Sequence, residues 1–323
     1  YRTLGKTGYE VSEVGFGAWA IGGTWGEVTE ADAMAALYEA LDQGITFFDT
    51  ADVYGDGRSE QFIAKLRRER PEATMVVATK AGRRVDPHVD AGYTPEALEG
   101  FIDRSREYLE MDTLDLVQLH CPPPETYYRR DIFDAMDGLV SAGKIAAYGV
   151  SVEKVEEALK AIDFENVATI QLIFNMLRHR PAGLFFREAI ARDIGVIARV
   201  PLASGVLTGK MTKDSTFAED DHRTFNRKGE AFDVGETFSG VPFDVALEAM
   251  DRLRAIVPDD ATPAQTALRW ILDHEAVSTV IPGGKNPKQV ADNAAASALA
   301  PLSDADMALV RDVYDDLVKD HVH

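Results

Sequence analysis

Residues 46–55 read TFFDTADVYG, a short apolar run that ends in polar and turn-forming residues. Two later stretches are organised in the same way: residues 75–82 read MVVATKAG, and residues 114–121 read LDLVQLHC. Apolar runs with little polar alternation are typical of parallel strands that are covered on both faces. The three stretches therefore predict three consecutive parallel strands, each with a polar residue at its carboxyl end.

On either side of these stretches, further strand candidates alternate with segments of helical periodicity. Strands are predicted at residues 14–18, 46–49, 75–79, 114–119, 145–150, 169–172, 196–199 and 279–281. Helices are predicted at residues 30–43, 60–69, 95–109, 130–142, 155–162, 184–192, 263–274 and 304–318. Because no linker rich in Pro, Gly or Ser divides the chain, residues 1–323 are interpreted as one domain. The βα alternation predicts a closed (β/α)8 TIM barrel.

The main alternative is an open, doubly wound sheet, which usually carries a Gly-rich phosphate loop after its first strand. Here residues 17–25 read GAWAIGGTW and contain no G-x-G-x-x-G leading into a helix, so the barrel is favoured. Residues 1–13 are predicted to form a hairpin that caps the barrel floor. Residues 203–240 form a long connection, of a kind that is usually functional or mobile. The two C-terminal helices, residues 263–274 and 304–318, are expected to pack on the outside.

Composition limits the partners and the compartment. Hydrophobic residues make up 46% of the chain, enough for a large core, and the net charge is −20. Such a surface repels phosphate backbones and anionic lipids, so nucleic acids and membranes are disfavoured as partners. The acidity is spread along the chain and reflects either a strongly solvated surface or adaptation to high salt. The single cysteine, Cys121, fits a reducing compartment, and no apolar run approaches the roughly 20 residues of a membrane span, so we expect a cytoplasmic protein.

Polar residues at the predicted strand ends indicate where chemistry takes place. In a (β/α)8 barrel the active site lies at the carboxyl ends of the strands. Asp49, Lys80 and His120 occupy such ends, and Tyr54 lies in the loop that follows Asp49. Taken singly, each has an ordinary structural interpretation, such as a helix cap, a packed aromatic ring, a solvated lysine or a structural histidine.

Together, these four residues fit the reduction of a carbonyl group. A phenol has a pKa near 10, and a neighbouring ammonium lowers it, so Lys80 is predicted to activate Tyr54 as a proton donor. Asp49 would hold Lys80 in place through a charge-assisted hydrogen bond. His120 would orient or polarise the carbonyl oxygen.

The context of these residues resembles the aldo-keto reductase family. Residues 49–55, DTADVYG, are similar to the family's D-T-A-x-x-Y-G motif, and Asp49, Tyr54, Lys80 and His120 match its tetrad. The resemblance extends over nearly the whole chain. It implies the barrel, the reversible reduction of aldehydes or ketones to alcohols with Tyr54 as general acid, and NADPH bound across the barrel rim, with NADH also possible.

The resemblance also implies a set of cofactor contacts. It places Ser151 and Gln171 at the nicotinamide carboxamide and the Arg199 guanidinium flat against the nicotinamide ring. The further contacts that it implies are Leu202, Ser204, Leu207, Lys210, Gly283, Gly284, Lys285, Gln289 and Asn293. The segment from Gly283 onward also suits a phosphate on physical grounds, because glycines permit close approach and the following helix offers N-terminal amides.

The substrate pocket is less well defined. Trp19 matches an aromatic residue that lines the family's pocket, so Trp19, Tyr54 and His120 are predicted to contact a small carbonyl compound or alcohol. Four other aromatic residues on predicted loops are interpreted either as pocket residues or as packing: Trp25, Tyr127, Phe225 and Phe238.

Two other functions are considered. The family includes cofactor-binding regulatory or scaffold subunits, similar to potassium-channel β subunits, and a complete tetrad does not exclude such a role. A metal-dependent barrel enzyme is disfavoured, because the strand ends lack the cluster of carboxylates and histidines that a metal requires, and no metal site is predicted. Substrate identity, favoured direction and oligomeric state do not follow from the sequence.

Overall fold

A small hairpin precedes a parallel sheet whose strand order follows the chain. The computed structural model describes residues 1–22, 28–219 and 221–323. The hairpin consists of β1 (Arg2–Thr3) and β2 (Glu10–Val11). The parallel strands are β3 (Phe16–Gly17), β4 (Phe47–Asp49), β5 (Val76–Ala81), β6 (Leu114–His120), β7 (Ile145–Ser151), β8 (Val167–Ile173), β9 (Gly195–Arg199) and β10 (Val277–Val280). Each parallel strand pairs with the next one along the chain.

Two parallel bridges close this sheet into a barrel. Val14 pairs with Val280, and Gly17 pairs with Gly283, so the segment around β3 lies beside β10. A Cβ atom at Gly17 would lie 2.8 Å from the carbonyl oxygen of Ile281, so the close approach requires a glycine. The closure confirms the predicted (β/α)8 fold over the open sheet.

Helices follow the strands and cover the outside of the barrel. They are α1 (Glu30–Asp42), α2 (Arg58–Glu69), α3 (Pro95–Leu109), α4 (Arg130–Ser141), α5 (Val155–Ala161), α6 (Leu184–Ala191), α7 (His222–Phe225), α8 (Phe243–Leu253), α9 (Pro263–Leu272), α10 (Pro287–Ala294) and α11 (Asp304–Val313). The eight predicted helices are all present; the last one is α-helical only to Val313 and continues as a π-helix over Tyr314–Val318.

Local sequence explains where several of these helices begin. The Thr94 hydroxyl accepts a hydrogen bond from the amide of Ala97, and Pro95 occupies the first position of α3. Thr262 and Pro263 start α9 in the same way. A threonine cap satisfies an amide that the helix leaves without a partner, and proline has no amide to satisfy, so these pairs fix the helix starts.

The apolar core is divided between the inside of the barrel and the layer under the helices. The smaller, inner cluster contains Leu4, Val11, Phe47, Val76, Ala78, Leu116, Ile197 and Ile281. The larger cluster joins the outward side chains of the strands to the helices, and it includes Phe48. Because the side chains of neighbouring residues in a strand point to opposite faces, Phe47 packs in the inner cluster and Phe48 packs in the larger, outer cluster.

The hairpin caps the amino ends of the strands, as predicted. The Lys6 amide donates to the carbonyl of Asp193 at 2.9 Å, just before β9 begins. Gly5 has a φ of +49°, and a Cβ there would lie 2.1 Å from the Gly195 amide nitrogen. Only a glycine therefore lets the hairpin sit against β9. The carboxyl ends of the strands are left at the opposite end of the barrel.

Residues 203–240 cross the carboxyl end of the barrel in short helical turns rather than a plain loop. The turns are Ala203–Thr208, α7, Val234–Glu236 and Phe238–Gly240. Within the described ranges, no helix combines the length and the apolar character needed to span a membrane.

Candidate active site

Strand register places the predicted acid-base residues side by side at the carboxyl end of the barrel. Asp49 ends β4, Lys80 lies near the end of β5, and His120 ends β6. Tyr54 lies in the turn after β4, where its amide donates to the carbonyl of Ala51 at 3.0 Å. The structure thus brings together the four residues that the sequence singled out.

The Lys80 ammonium lies at the centre of this group. Its Nζ donates to Asp49 Oδ2 at 2.6 Å, to the Thr50 carbonyl at 2.8 Å and to the Tyr54 hydroxyl at 3.3 Å. The Lys80 side chain is 1% exposed and that of Asp49 is 4% exposed, so the ion pair is shielded from water. Three donors with three acceptors leave the ammonium fixed between a carboxylate and a phenol.

The second oxygen of the Asp49 carboxylate ties two further strands to the site. Oδ1 accepts from Gln171 Nε2 at 2.6 Å and from Gln118 Nε2 at 3.1 Å. Gln171 Nε2 also donates to Gln118 Oε1 at 3.2 Å. Through Asp49, residues of β4, β5, β6 and β8 are therefore joined in one buried network.

Burial and charge set the protonation states. Burial raises the pKa of Tyr54; the Lys80 ammonium acts in the predicted, lowering direction, but burial has the larger effect. For Lys80, the lowering effect of burial is outweighed by Asp49 and Tyr54, so its pKa is raised and it stays charged. Burial, then Lys80 and Arg83, hold the pKa of His120 well below its usual value, so its ring is neutral at pH 7.

These side chains open into a cavity of about 760 Å³. The predicted site residues that line it are Trp19, Asp49, Tyr54, His120, Ser151, Gln171, Arg199, Leu202, Ser204, Lys210, Gly283, Lys285, Gln289 and Asn293. Lys80 lies behind the wall. Leu207 and Gly284 are not brought to it: Leu207 is buried in the core, and a Cβ at Gly284 would lie 2.7 Å from Val290.

The cavity wall is positively charged, in contrast to the chain as a whole. Among the described residues, the charged lining side chains are the cations Arg83, Arg199, Lys210, Arg223 and Lys285 and the anions Asp49, Glu236 and Asp292. The whole chain carries a net charge of −20. Cations thus outnumber anions among the lining residues, whereas the chain as a whole is acidic. In the same ranges, no group of three or more His, Cys, Asp or Glu is arranged to hold a metal ion.

Arg199 is held in place by the segment that crosses the barrel. Its guanidinium pairs with Glu236 and donates to the Val152 carbonyl at 2.8 Å. The Ser204 hydroxyl donates to the Glu236 carbonyl at 2.9 Å and accepts from the Phe238 amide at 3.1 Å. Ser204 thus fixes the segment that carries the partner of Arg199.

The loop between β10 and α10 is shaped by its own side chains. The Lys285 amide donates to Gln289 Oε1 at 2.9 Å, and Asn293 Nδ2 donates to the Gly283 carbonyl at 3.2 Å. Burial and the nearby Arg223 lower the pKa of Lys285. Two cations therefore lie close to each other at this part of the cavity.

The Aldo/keto reductase family model matches residues 13–315. The chain belongs to this family. It is 32% identical over 297 residues to the aldo-keto reductase YhdN of Bacillus subtilis, with 90% of this chain and 86% of that protein covered. It is also 31% identical over 317 residues to a probable voltage-gated potassium channel subunit β of Arabidopsis thaliana, with 94% and 92% covered.

Solved structures of aldo/keto reductases share the fold. One from Klebsiella pneumoniae, in complex with NADPH, superposes with a TM-score of 0.71 at 23% identity and covers 97% of this chain and 94% of its own. At this level of identity the likeness establishes the shared barrel.

An aromatic wall borders the tetrad in this aldo/keto reductase. The Trp19 ring stacks on Tyr54 with 6.1 Å between centroids, and Phe232 meets the edge of Trp19 at 6.2 Å. Phe225 packs against Phe232 and is 41% exposed. Trp19 thus lies in the cavity wall, and its contact with a substrate stays a prediction.

The other aromatic candidates divide. Phe225 lines the cavity, whereas Tyr127 and Phe238 are packed in the core. Trp25 lies outside the described residues.

Sequence reasoning missed several residues of the site, among them Gln118, Arg83, Glu236, Arg223 and Phe232. Gln118 precedes His120 by two positions on β6, so strand periodicity places both side chains on one face and could have identified it. Arg83 follows Lys80 by three residues, beyond the end of the strand, where no periodicity applies. Glu236 lies 37 residues from its partner Arg199, and no local pattern connects them.

Proposed function

We propose that this protein reduces aldehydes or ketones to alcohols with NADPH, and that the whole chain is one domain serving this reaction. The observation that carries the proposal is the position of Lys80 Nζ, 2.6 Å from the Asp49 carboxylate and 3.3 Å from the Tyr54 hydroxyl. Both Asp49 and Tyr54 line the cavity. A phenol held against an ammonium in this way can deliver a proton to an oxygen that becomes negatively charged.

The cavity fits a dinucleotide. Ser151 and Gln171 lie at the strand ends near the tetrad; both N–H groups of Gln171 are used within the protein, which leaves its Oε1 to accept from a carboxamide. Lys210, Arg223 and Lys285 line the cavity further along and suit phosphates. The Klebsiella relative holds NADPH. When bound, NADPH would supply the hydride for the carbonyl carbon.

The protein's own part is to hold and move the proton. Tyr54 donates its proton to the carbonyl oxygen as charge develops there. Lys80 stabilises the phenolate that is left, and Asp49 keeps Lys80 charged and aligned. Because the pKa of Tyr54 is raised, the phenol is protonated at neutral pH, and the resting form is already the donor form.

His120 has the protonation state that a hydrogen-bond donor to the carbonyl needs. A neutral imidazole donates from one ring nitrogen and does not compete with Tyr54 as a strong acid. The depressed pKa of His120 keeps the ring in this form, and the residue lines the cavity beside Tyr54, with 6.1 Å between the ring centroids. We assign His120 to orienting and polarising the carbonyl oxygen.

A second candidate function is a regulatory subunit that binds the cofactor with little turnover. The observation that favours it is the 31% identity to the Arabidopsis protein named as a probable channel subunit β. Both candidates predict cofactor binding. They differ in turnover, which a panel of aldehydes and ketones followed by cofactor absorbance would measure.

The test combines binding with turnover. Fluorescence titration with NADPH and with NADH measures affinity, and the carbonyl panel measures rate. Tyr54→Phe is expected to lower kcat by about 10²- to 10⁴-fold, the usual worth of a general acid, with little change in the NADPH dissociation constant. The matched control Tyr127→Phe removes a buried hydroxyl that has no partner among the described residues, and both values should stay unchanged. Full activity in Tyr54→Phe, or loss of NADPH binding, would contradict the proposal.

A further inference from the structure

The loop after β5 brings an arginine to the cavity near the tetrad. Gly82 has a φ of +113°, and a Cβ there would lie 2.7 Å from the ring of Tyr93, so only glycine fits at this position of the turn. Arg83 follows directly and lines the cavity. The backbone is thus built to turn sharply between Lys80 and Arg83.

Arg83 has hydrogen-bonding capacity to spare. A guanidinium carries five N–H donors. Within the described ranges Arg83 donates one hydrogen bond, from Nη2 to Glu153 Oε1 at 3.0 Å. Its side chain is 24% exposed, and none of its nitrogens is both buried and without a partner. The guanidinium is therefore partly accessible, in a residue that lines the cavity.

Two other cations near the tetrad, Lys80 and Arg199, are held in buried ion pairs. The three donors of Lys80 are taken by Asp49, Thr50 and Tyr54. Arg199 is paired with Glu236. Lys210 and Lys285 belong to the segments that follow β9 and β10. Arg83 is a partly exposed cation near the tetrad, and only one of its five N–H donors makes a described hydrogen bond.

Its charge reaches the reacting end of the cavity. Arg83 contributes to the low pKa of His120, after burial and Lys80, and it also acts on Cys121, the next residue. The cavity is also lined by the aromatic rings of Trp19, Phe225 and Phe232. A ligand near His120 therefore meets Arg83 among polar and aromatic lining residues.

We infer that the substrate is a carbonyl compound that carries an anionic group, a carboxylate or a phosphate, and that Arg83 binds this group. The inference rests on the proposed function and names the substrate class for the same site. A planar guanidinium can bind a carboxylate or phosphate in a bidentate manner through two of its N–H groups. Glu153 accepts a hydrogen bond from the guanidinium and partly offsets its charge, so Glu153 limits the affinity for the anion.

The test uses matched substrates and matched variants. The substrate pairs are 4-carboxybenzaldehyde with methyl 4-formylbenzoate, and glyceraldehyde 3-phosphate with glyceraldehyde; the two pairs distinguish carboxylate from phosphate. Arg83→Met keeps an unbranched apolar side chain in place of the aliphatic part of the arginine and removes the charge and the N–H donors. The control is Arg84→Met, since Arg84 does not line the cavity and pairs with the exposed Asp56.

Arg83→Met is expected to raise KM for the anionic member of a pair by about 10-fold or more and to leave the neutral member unchanged, with kcat little affected for both. Arg84→Met should change neither. Glu153→Gln, which frees Arg83, should lower KM for the anionic member only. This opposite sign keeps the inference testable should Arg83→Met fold poorly.

The outcomes separate the inference from the proposed function. If wild-type protein turns over the neutral and anionic members equally, or if Arg83→Met affects both alike, the inference is overturned and the reductase stands. If no carbonyl compound is turned over, the proposed function fails. Calorimetric binding of 4-(hydroxymethyl)benzoate against benzyl alcohol then decides the inference: a preference for the anion that Arg83→Met abolishes supports it, and no preference overturns it.

Discussion

Replacing Asp49 by Asn would leave the Lys80 ammonium buried without a carboxylate. Removing one partner of a buried ion pair costs about 3–5 kcal/mol, because the remaining charge is left uncompensated. Unfolding entropy of about 2.1 cal/mol/K per residue, summed over the chain, converts this loss into a drop of about 4–7 °C in Tm. The Asp49→Asn variant should therefore be both less stable and inactive.

A double-mutant cycle tests this reasoning. Lys80→Met leaves a buried carboxylate that still accepts from Gln118 and Gln171, and it should also destabilise the protein. The Asp49→Asn/Lys80→Met protein buries no lone charge, so its Tm should lie above that of Asp49→Asn, while activity stays absent. Thermal unfolding followed by circular dichroism measures the stabilities, and cofactor absorbance measures the rates.

Two results would refute the argument. One is an Asp49→Asn protein that melts at the wild-type temperature, which would mean that Lys80 does not need its carboxylate for stability. The other is a double variant whose loss equals the sum of the two single losses, since independent sites add and coupled ones do not.

Three further predictions follow from burial and close packing. Because burial raises the pKa of Tyr54, the initial rate of carbonyl reduction should be constant through neutral pH and fall only above about pH 10. The initial rate of alcohol oxidation should rise towards high pH, because oxidation needs the deprotonated phenol. A rate optimum near pH 7 for reduction would contradict this prediction. A Cβ at Gly149 would lie 2.4 Å from the carbonyl oxygen of Thr169, so Gly149→Ala should lower the free energy of unfolding by about 1–3 kcal/mol or more, measured by denaturant unfolding. A Cβ at Gly138, on α4, would meet open space, so the control Gly138→Ala should raise the free energy of unfolding by roughly 0.5–1 kcal/mol. Burial raises the pKa of Asp52 to about 7, so the folded state binds more protons than the unfolded state between about pH 4 and 7. Above pH 7 the carboxyl group is ionised in both states, and the folded state bears the full cost of the buried charge. Asp52→Asn should therefore raise Tm at pH 8 and raise it less at pH 5, and an equal effect at both pH values would disprove the link.

Most of the fold could be predicted from the sequence, because each barrel strand is a buried apolar run between helices of clear periodicity. The order of strands then follows from the chain. Helix α8 was not predicted. It follows the long segment 203–240, which interrupts the βα alternation, so the alternation does not indicate where the next helix begins. The π-helical end of the last helix, Tyr314–Val318, was also beyond prediction, because it depends on contacts with residues distant in sequence.

The tetrad was predictable for a similar reason. Strand ends meet at one rim of a barrel, so residues that are 71 positions apart in the chain, Asp49 and His120, are neighbours by topology. Side-chain pairing across loops was not predictable. Such pairing depends on how segments that are distant in sequence pack against one another. Examples are the hydrogen bond of Gln171 to Asp49, the ion pair of Arg199 with Glu236 and the hydrogen bonds of Ser204.

The contrast between the acidic chain and the excess of cations among the lining residues predicts that the cavity discriminates between anions by size. At physiological ionic strength a charge is felt over about 8 Å, so a ligand inside the cavity is largely out of range of the outer carboxylates. A compact phosphate-bearing molecule can pass the repulsive zone and be captured. A long polyanion keeps most of its length in that zone and gains little from the few cations within.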